Sequence, residues 1–106
     1  MAKLDRSFHA LADPTRRAVL VQLTAGEASV SALASSHDMA LPSFLKHLQV
    51  LEEGGLIVSR KQGRTRLCRL AEGGYAPLEA WLDDQRRLWE GRTDRLAEFV
   101  TREDRT

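Results

Sequence analysis

Between residues 60 and 69 the chain carries five basic side chains, Arg60, Lys61, Arg64, Arg66 and Arg69, and no acid. Such a density suits a phosphate backbone, because each cation brought to it releases a condensed counterion. Charge alone describes a solvated hairpin equally well. A second set lies upstream. Ser43, Lys46 and Gln49 recur at helical spacing on one face, with His47 at its edge. Lysine can meet guanine and the glutamine amide can pair with adenine, while serine and histidine can reach bases or phosphates. The plainer alternatives are a solvated polar helix face and, for His47, a hydrogen bond within its own domain. Nothing comparable points to catalysis. The chain has no Gly-rich phosphate loop, no H-E-x-x-H and no Ser/His/acid set that the pattern brings together, so an enzyme is not expected.

These residues need elements to position them. Leu4, Phe8 and Leu11 mark a short amphipathic helix. Asp13-Pro14 starts a second helix, running to about Ala25, with Asp13 as its cap and Gly26 as its stop. A third opens at Ser29, also a cap, with Val30, Leu33 and Ala34 facing inward. After a turn at 37–40 the spacing predicts a fourth helix over Leu41–Glu53. On it Leu41, Phe44, Leu45, Leu48 and Leu51 share an apolar arc, and Val50 joins the polar face. Gly54-Gly55 ends it. Residues 56–58 and 66–70 read as strands around a tip at Lys61-Gln62-Gly63-Arg64. A last helix runs from about Tyr75 to Val100.

The predicted fold class is mainly α with a small β-hairpin (α+β), in the order α-α-α-α-β-β-α. A short-turn helix pair followed by a basic hairpin is a winged helix-turn-helix arrangement, though such helix pairs also occur in many all-α domains. One domain over 1–106 is expected at this length, with the helix-turn-helix at about 29–53 and the wing at 56–70. The helices at 4–12 and 75–100 are assigned to dimerisation. A stripe of Leu78, Trp81, Leu82, Leu88, Trp89, Leu96 and Phe99 on the last helix is longer than so small a body can cover, and with Leu4 and Phe8 it is the expected dimer interface. Residues 1–74 carry a charge balance of +3 and residues 75–106 one of −2, so the positive charge is concentrated in the part with the polar helix and hairpin. No apolar run can span a membrane, the N-terminus lacks the apolar stretch of a secretory signal, and Cys68 is the one cysteine; a cytoplasmic protein is expected.

Several segments resemble the ArsR (ArsR/SmtB) family of bacterial regulators. Leu11-Ala12-Asp13-Pro14-Thr15-Arg16-Arg17 is similar to the family's opening motif. Residues 41–52 look like its recognition helix, Gly55-Leu56-Ile57 like its strand start and Gly63-Arg64 like its wing tip. The resemblance covers about residues 4–100. It implies a homodimeric DNA-binding regulator, usually a repressor that leaves DNA on sensing a signal, with double-stranded DNA and a second copy of the chain as partners. The recognition-helix candidates Ser43, Lys46, His47 and Gln49 would then enter the major groove. The wing candidates Lys61, Gln62, Arg64 and Arg66 would meet phosphates or the minor groove.

Of Arg16 and Arg17, one is expected to be structural, pairing with an acid such as Asp13. Ala40 and Leu45 stand where the family commonly has serine; Ala40 cannot cap the helix, and Leu45 is expected to pack, with a thymine methyl as the alternative use. Many relatives sense metals through two cysteines, where this chain has Ser29 and Ser31, and others through histidines on the last helix, where it has none. No metal or cofactor is therefore expected. A small organic effector near Phe8, Trp81 and Trp89 stays open, as does a redox role for Cys68. The rival reading is a winged-helix module that binds protein and not DNA.

Overall fold

A computed structural model of the chain describes residues 2–104, without the side chains of Thr93, Asp94, Phe99 and 101–104. The expectation for Phe99 therefore lies outside the described residues. Eight elements follow in order: α1 (Lys3–Leu11), α2 (Pro14–Leu23), β1 (Ala28–Ser29), α3 (Val30–Ala34), α4 (Leu41–Glu53), β2 (Ile57–Gln62), β3 (Thr65–Leu70) and α5 (Ala76–Asp104).

Local chemistry accounts for the helix starts. The Asp13 carboxylate accepts the Arg16 amide at 3.1 Å, and Pro14 occupies the first turn of α2. Ser29 caps α3 by accepting the Ala32 amide at 3.0 Å. The short α3 joins α4 through 35–40, and His37 in that turn donates from Nε2 to Gln22 on α2 at 2.8 Å while stacking edge-on against Phe44. The helix-turn-helix is thus tied to α2 from its turn.

The sheet has three antiparallel strands in the order β1-β3-β2. The hairpin matches the sequence reading, but its turn is tighter. Gln62 pairs with Thr65, leaving only Gly63-Arg64 as the loop. Gly63 takes φ +64°, as a two-residue hairpin turn with glycine at its first central position requires. β1 is an addition to the predicted order. Two residues show no alternation, and they become a strand only because the chain entering α3 crosses the free edge of β3, pairing Ala28 with Cys68 and Ser29 with Leu67.

One core holds these layers together. Val19, Leu20 and Leu23 of α2, Leu33 of α3, Phe44, Leu48 and Leu51 of α4, Leu56, Ile57 and Cys68 of the wing and Leu78 of α5 are all buried in it. At Gly54 the end of α4 meets α1 so closely that a Cβ would lie 3.0 Å from Ala10 Cβ and from the Arg6 carbonyl oxygen, and the buried Ser7 hydroxyl donates to the Gly54 carbonyl at 2.9 Å. α5 lies on α1 only near its start. At ~1.5 Å per residue its 29 residues reach about 43 Å, in a molecule 76 Å long and 28 by 25 Å across.

Candidate nucleic-acid interface

Helix α4 turns Phe44, Leu48 and Leu51 into the core and leaves Ser43, Lys46 and Gln49 exposed. Ala40 stands at the N-cap with no side-chain hydrogen bond, and Pro42 opens the first turn. The apolar arc is narrower than its five leucine and phenylalanine positions implied. Leu41 and Leu45 are 53% and 44% exposed, because the body beneath α4 reaches only its central stripe. Leu45 does not pack in the core; it overhangs a cleft of about 150 Å³ floored by Leu48, Ile57 and Cys68. Val50, assigned to the polar face, is half-buried against the core.

Gln49 donates to Glu53 at 3.1 Å along the helix. His47 is the candidate turned inward. Its Nδ1 lies 3.1 Å from a terminal nitrogen of Arg16 and 3.7 Å from Asp13. Arg16 is the structural one of the arginine pair, but not as an ion pair with Asp13. Its guanidinium donates to the Ala10 carbonyl (2.8 Å), the His9 carbonyl (2.9 Å) and His47. Arg17 is exposed and donates to the Leu11 carbonyl at 2.7 Å.

The wing sorts its cations. Arg60 forms a two-pronged pair with Glu27, at 2.8 and 3.2 Å, which raises the Arg60 pKa and lowers that of Glu27. Arg66 donates to Ser59, which donates to Glu52 on α4, each at 3.0 Å, so a hydrogen-bonded chain sets the wing against the helix. Lys61, Gln62 and Arg64 are exposed, and their side chains make no hydrogen bond or ion pair among the described residues. Lys61 stands directly opposite Arg66 in the hairpin register. Like charges directly opposite one another destabilise a hairpin, a cost an anion from outside would relieve. Glu52 and Ser59 escaped the sequence reading as linking residues, as did the contact of Arg16 with His47, because no helical or strand spacing signals such pairs.

The apolar stripe of α5 is open where it leaves the body. Trp81, Leu82, Leu88, Trp89 and Leu96 are exposed, the last two by about two thirds. Phe8 of α1 joins it, with its ring edge-on to Trp81 at 5.4 Å. Leu78, expected in the dimer stripe, is instead only 4% exposed and belongs to the chain's own core, since the first turns of α5 still lie on α1. Leu4 is half-buried against that core and only partly available.

A sequence model of helix-turn-helix domains matches residues 11–60. The HTH-type transcriptional regulator Rv2034 of Mycobacterium tuberculosis is 38% identical over 85 residues, covering 80% of this chain and 77% of that one. The crystal structure of the ArsR family transcriptional regulator RHA00566 superposes with a TM-score of 0.79 at 53% identity, over 83% of this chain and 91% of that one. The chain belongs to the ArsR family of transcriptional regulators. The solution structure of the homodimeric winged helix-turn-helix DNA-binding domain Mb0332 from Mycobacterium bovis is also similar, with a TM-score of 0.63 at 28% identity over 81% and 82% of the two chains.

As an ArsR-family member the chain is a winged helix-turn-helix DNA-binding regulator and not an enzyme. Among the described residues, no three His, Cys, Asp or Glu side chains stand close enough together to hold a metal ion. In place of the family's cysteines, Ser29 serves as a helix cap. Cys68 is buried in the core, and burial together with the nearby Glu52 charge pushes its thiol pKa up, against its use as a reactive thiolate. No helix among the described residues is long and apolar enough to cross a membrane.

Proposed function

We propose that this ArsR-family protein is a cytoplasmic homodimeric repressor of an inverted-repeat operator, with residues 1–106 acting as one domain. In this reading Ser43, Lys46, His47 and Gln49 enter the major groove, and Lys61, Gln62, Arg64 and Arg66 lie along the backbone or minor groove. The observation that carries it is the pairing of an exposed polar helix face with a hairpin tip whose Lys61 and Arg64 have no counter-charge among the described residues. A free cation there has phosphate as its natural partner. The exposed α5 stripe, continued by Phe8, supplies a two-fold surface. Pairing through it would set two recognition helices about 34 Å apart, one turn of duplex. An unidentified small-molecule effector is compatible with this arrangement. The test is protection of an inverted repeat upstream of the protein's own gene, with sedimentation of the same sample. A monomer that ignores duplex DNA in dilute buffer overturns the reading.

A further inference from the structure

Arg16 is only 9% exposed, and every hydrogen bond of its side chain is made inside the protein. Two go to the end of α1, at the His9 and Ala10 carbonyls; the third goes to His47 Nδ1, 3.1 Å away on α4. A guanidinium has donors and no acceptor, so Nδ1 must receive this bond on its lone pair. A neutral imidazole then carries its one proton on Nε2. The nearby Asp13 does not compete: its Oδ2 is 3.7 Å from Nδ1 and already accepts the Arg16 amide at 3.1 Å. Nε2 makes no bond to another described residue. No fully buried side-chain nitrogen or oxygen among the described residues lacks a partner, so Nε2 is not sealed from solvent, in a side chain that is 22% exposed.

We propose that Arg16 is a positioning residue that fixes the His47 tautomer, so that the recognition helix presents a proton donor, Nε2–H, at this point of its surface. The ligand atom it fits is a hydrogen-bond acceptor on duplex DNA: a phosphate oxygen, or an acceptor on a base edge such as guanine N7 or thymine O4. An amino group of cytosine or adenine at the same place would find no acceptor. The inference rests on the DNA-binding reading above only for the identity of that ligand; the tautomer is a property of the free protein.

Nitrogen NMR of the full chain above the histidine titration range tests the tautomer directly. The His47 Nδ1 resonance is expected in the unprotonated range and Nε2 in the protonated range; the reverse assignment overturns the proposal. In Arg16→Lys, which lacks the guanidinium fork, the ring shifts towards a mixture of tautomers, and an unchanged spectrum overturns the role of Arg16. Should that variant not fold, two substitutions at His47 carry the test. His47→Asn keeps an acceptor near Nδ1 and removes the outward donor; His47→Gln returns an amide nitrogen near Nε2. The asparagine variant should bind operator duplex about tenfold more weakly with an unchanged melting temperature, the loss of one hydrogen bond in each half-site, and the glutamine variant should recover most of it. Equal binding by both variants overturns the donor role. An equal loss on operator and unrelated duplexes assigns the acceptor to phosphate, and a changed preference among operator variants assigns it to a base. If the wild-type chain binds no duplex, the DNA reading fails while the nitrogen spectrum still decides the tautomer.

Discussion

Replacing Arg64 by alanine separates wing contact from mere surface charge. Arg64 sits in the two-residue turn, exposed and without a counter-ion among the described residues. Each phosphate neutralised on B-DNA contributes about 0.9 to the slope of log K against log salt. A dimer has two wings, so Arg64→Ala should lower the slope by about 1.8. Between about 50 and 200 mM salt, a fourfold change, wild type should lose roughly 12-fold more affinity than the variant. The loss should be similar for operator and unrelated duplexes, because a phosphate contact carries no sequence information. The internal control is Arg60, which is committed to Glu27 at 2.8 Å. A charge-neutral Glu27→Ala, Arg60→Ala double variant should leave the slope unchanged. Fluorescence anisotropy titrations at several salt concentrations provide the readout. An unaltered slope for Arg64→Ala, or an equal fall in the double variant, refutes the assignment of the wing tip to phosphate.

Lys46→Ala should weaken operator binding by roughly 1–3 kcal/mol and relax preference at one position in each half-site; titration against operator variants checks this, and unchanged preference removes Lys46 from the reading set. Trp89→Asp places a charge in the exposed α5 stripe and should abolish dimerisation, so a variant that still sediments as a dimer relocates the interface. Asp13→Ala removes the cap of α2 and should cost about 1 kcal/mol in thermal unfolding. Burial raises the Asp13 carboxyl, but the Arg16 and Thr15 amides and the neighbouring cations outweigh it and leave it below its ordinary value. The stability it adds is therefore full above the unfolded carboxylate range and fades as pH falls below about 4; a gap between wild type and variant that widens in acid contradicts this. Cys68, buried and with its thiol pushed up, should react with thiol reagents far more slowly in the native than in the unfolded protein, and equal rates would place it at the surface.

Much of the fold was legible because its signals are local. Asp13-Pro14 and Ser29 announce helix starts through hydrogen bonds that close within three residues. Gly63 announces a tight turn through a backbone angle that other residues resist. The bounds of α4 also follow from short-range pattern. Burial along α4 was less legible. Leu41, Leu45 and Val50 are placed by how far the neighbouring elements reach, and periodicity reports only direction around the helix axis. The same holds for Leu78, which lies on the predicted stripe but close enough to α1 to join the core.

The sequence by itself determined the family, the order of the main elements, the polar face of α4 and the charge of the hairpin, because each depends on residues near one another in the chain. Only the tertiary structure decided which cations stay free. Arg60 finds Glu27 across 33 positions, Arg16 finds His47 across 31, and Arg66 reaches Glu52 through Ser59, while Lys61 and Arg64 meet no acid among the described residues. Such pairings depend on distances in space that packing sets, and packing sums contacts from the whole chain.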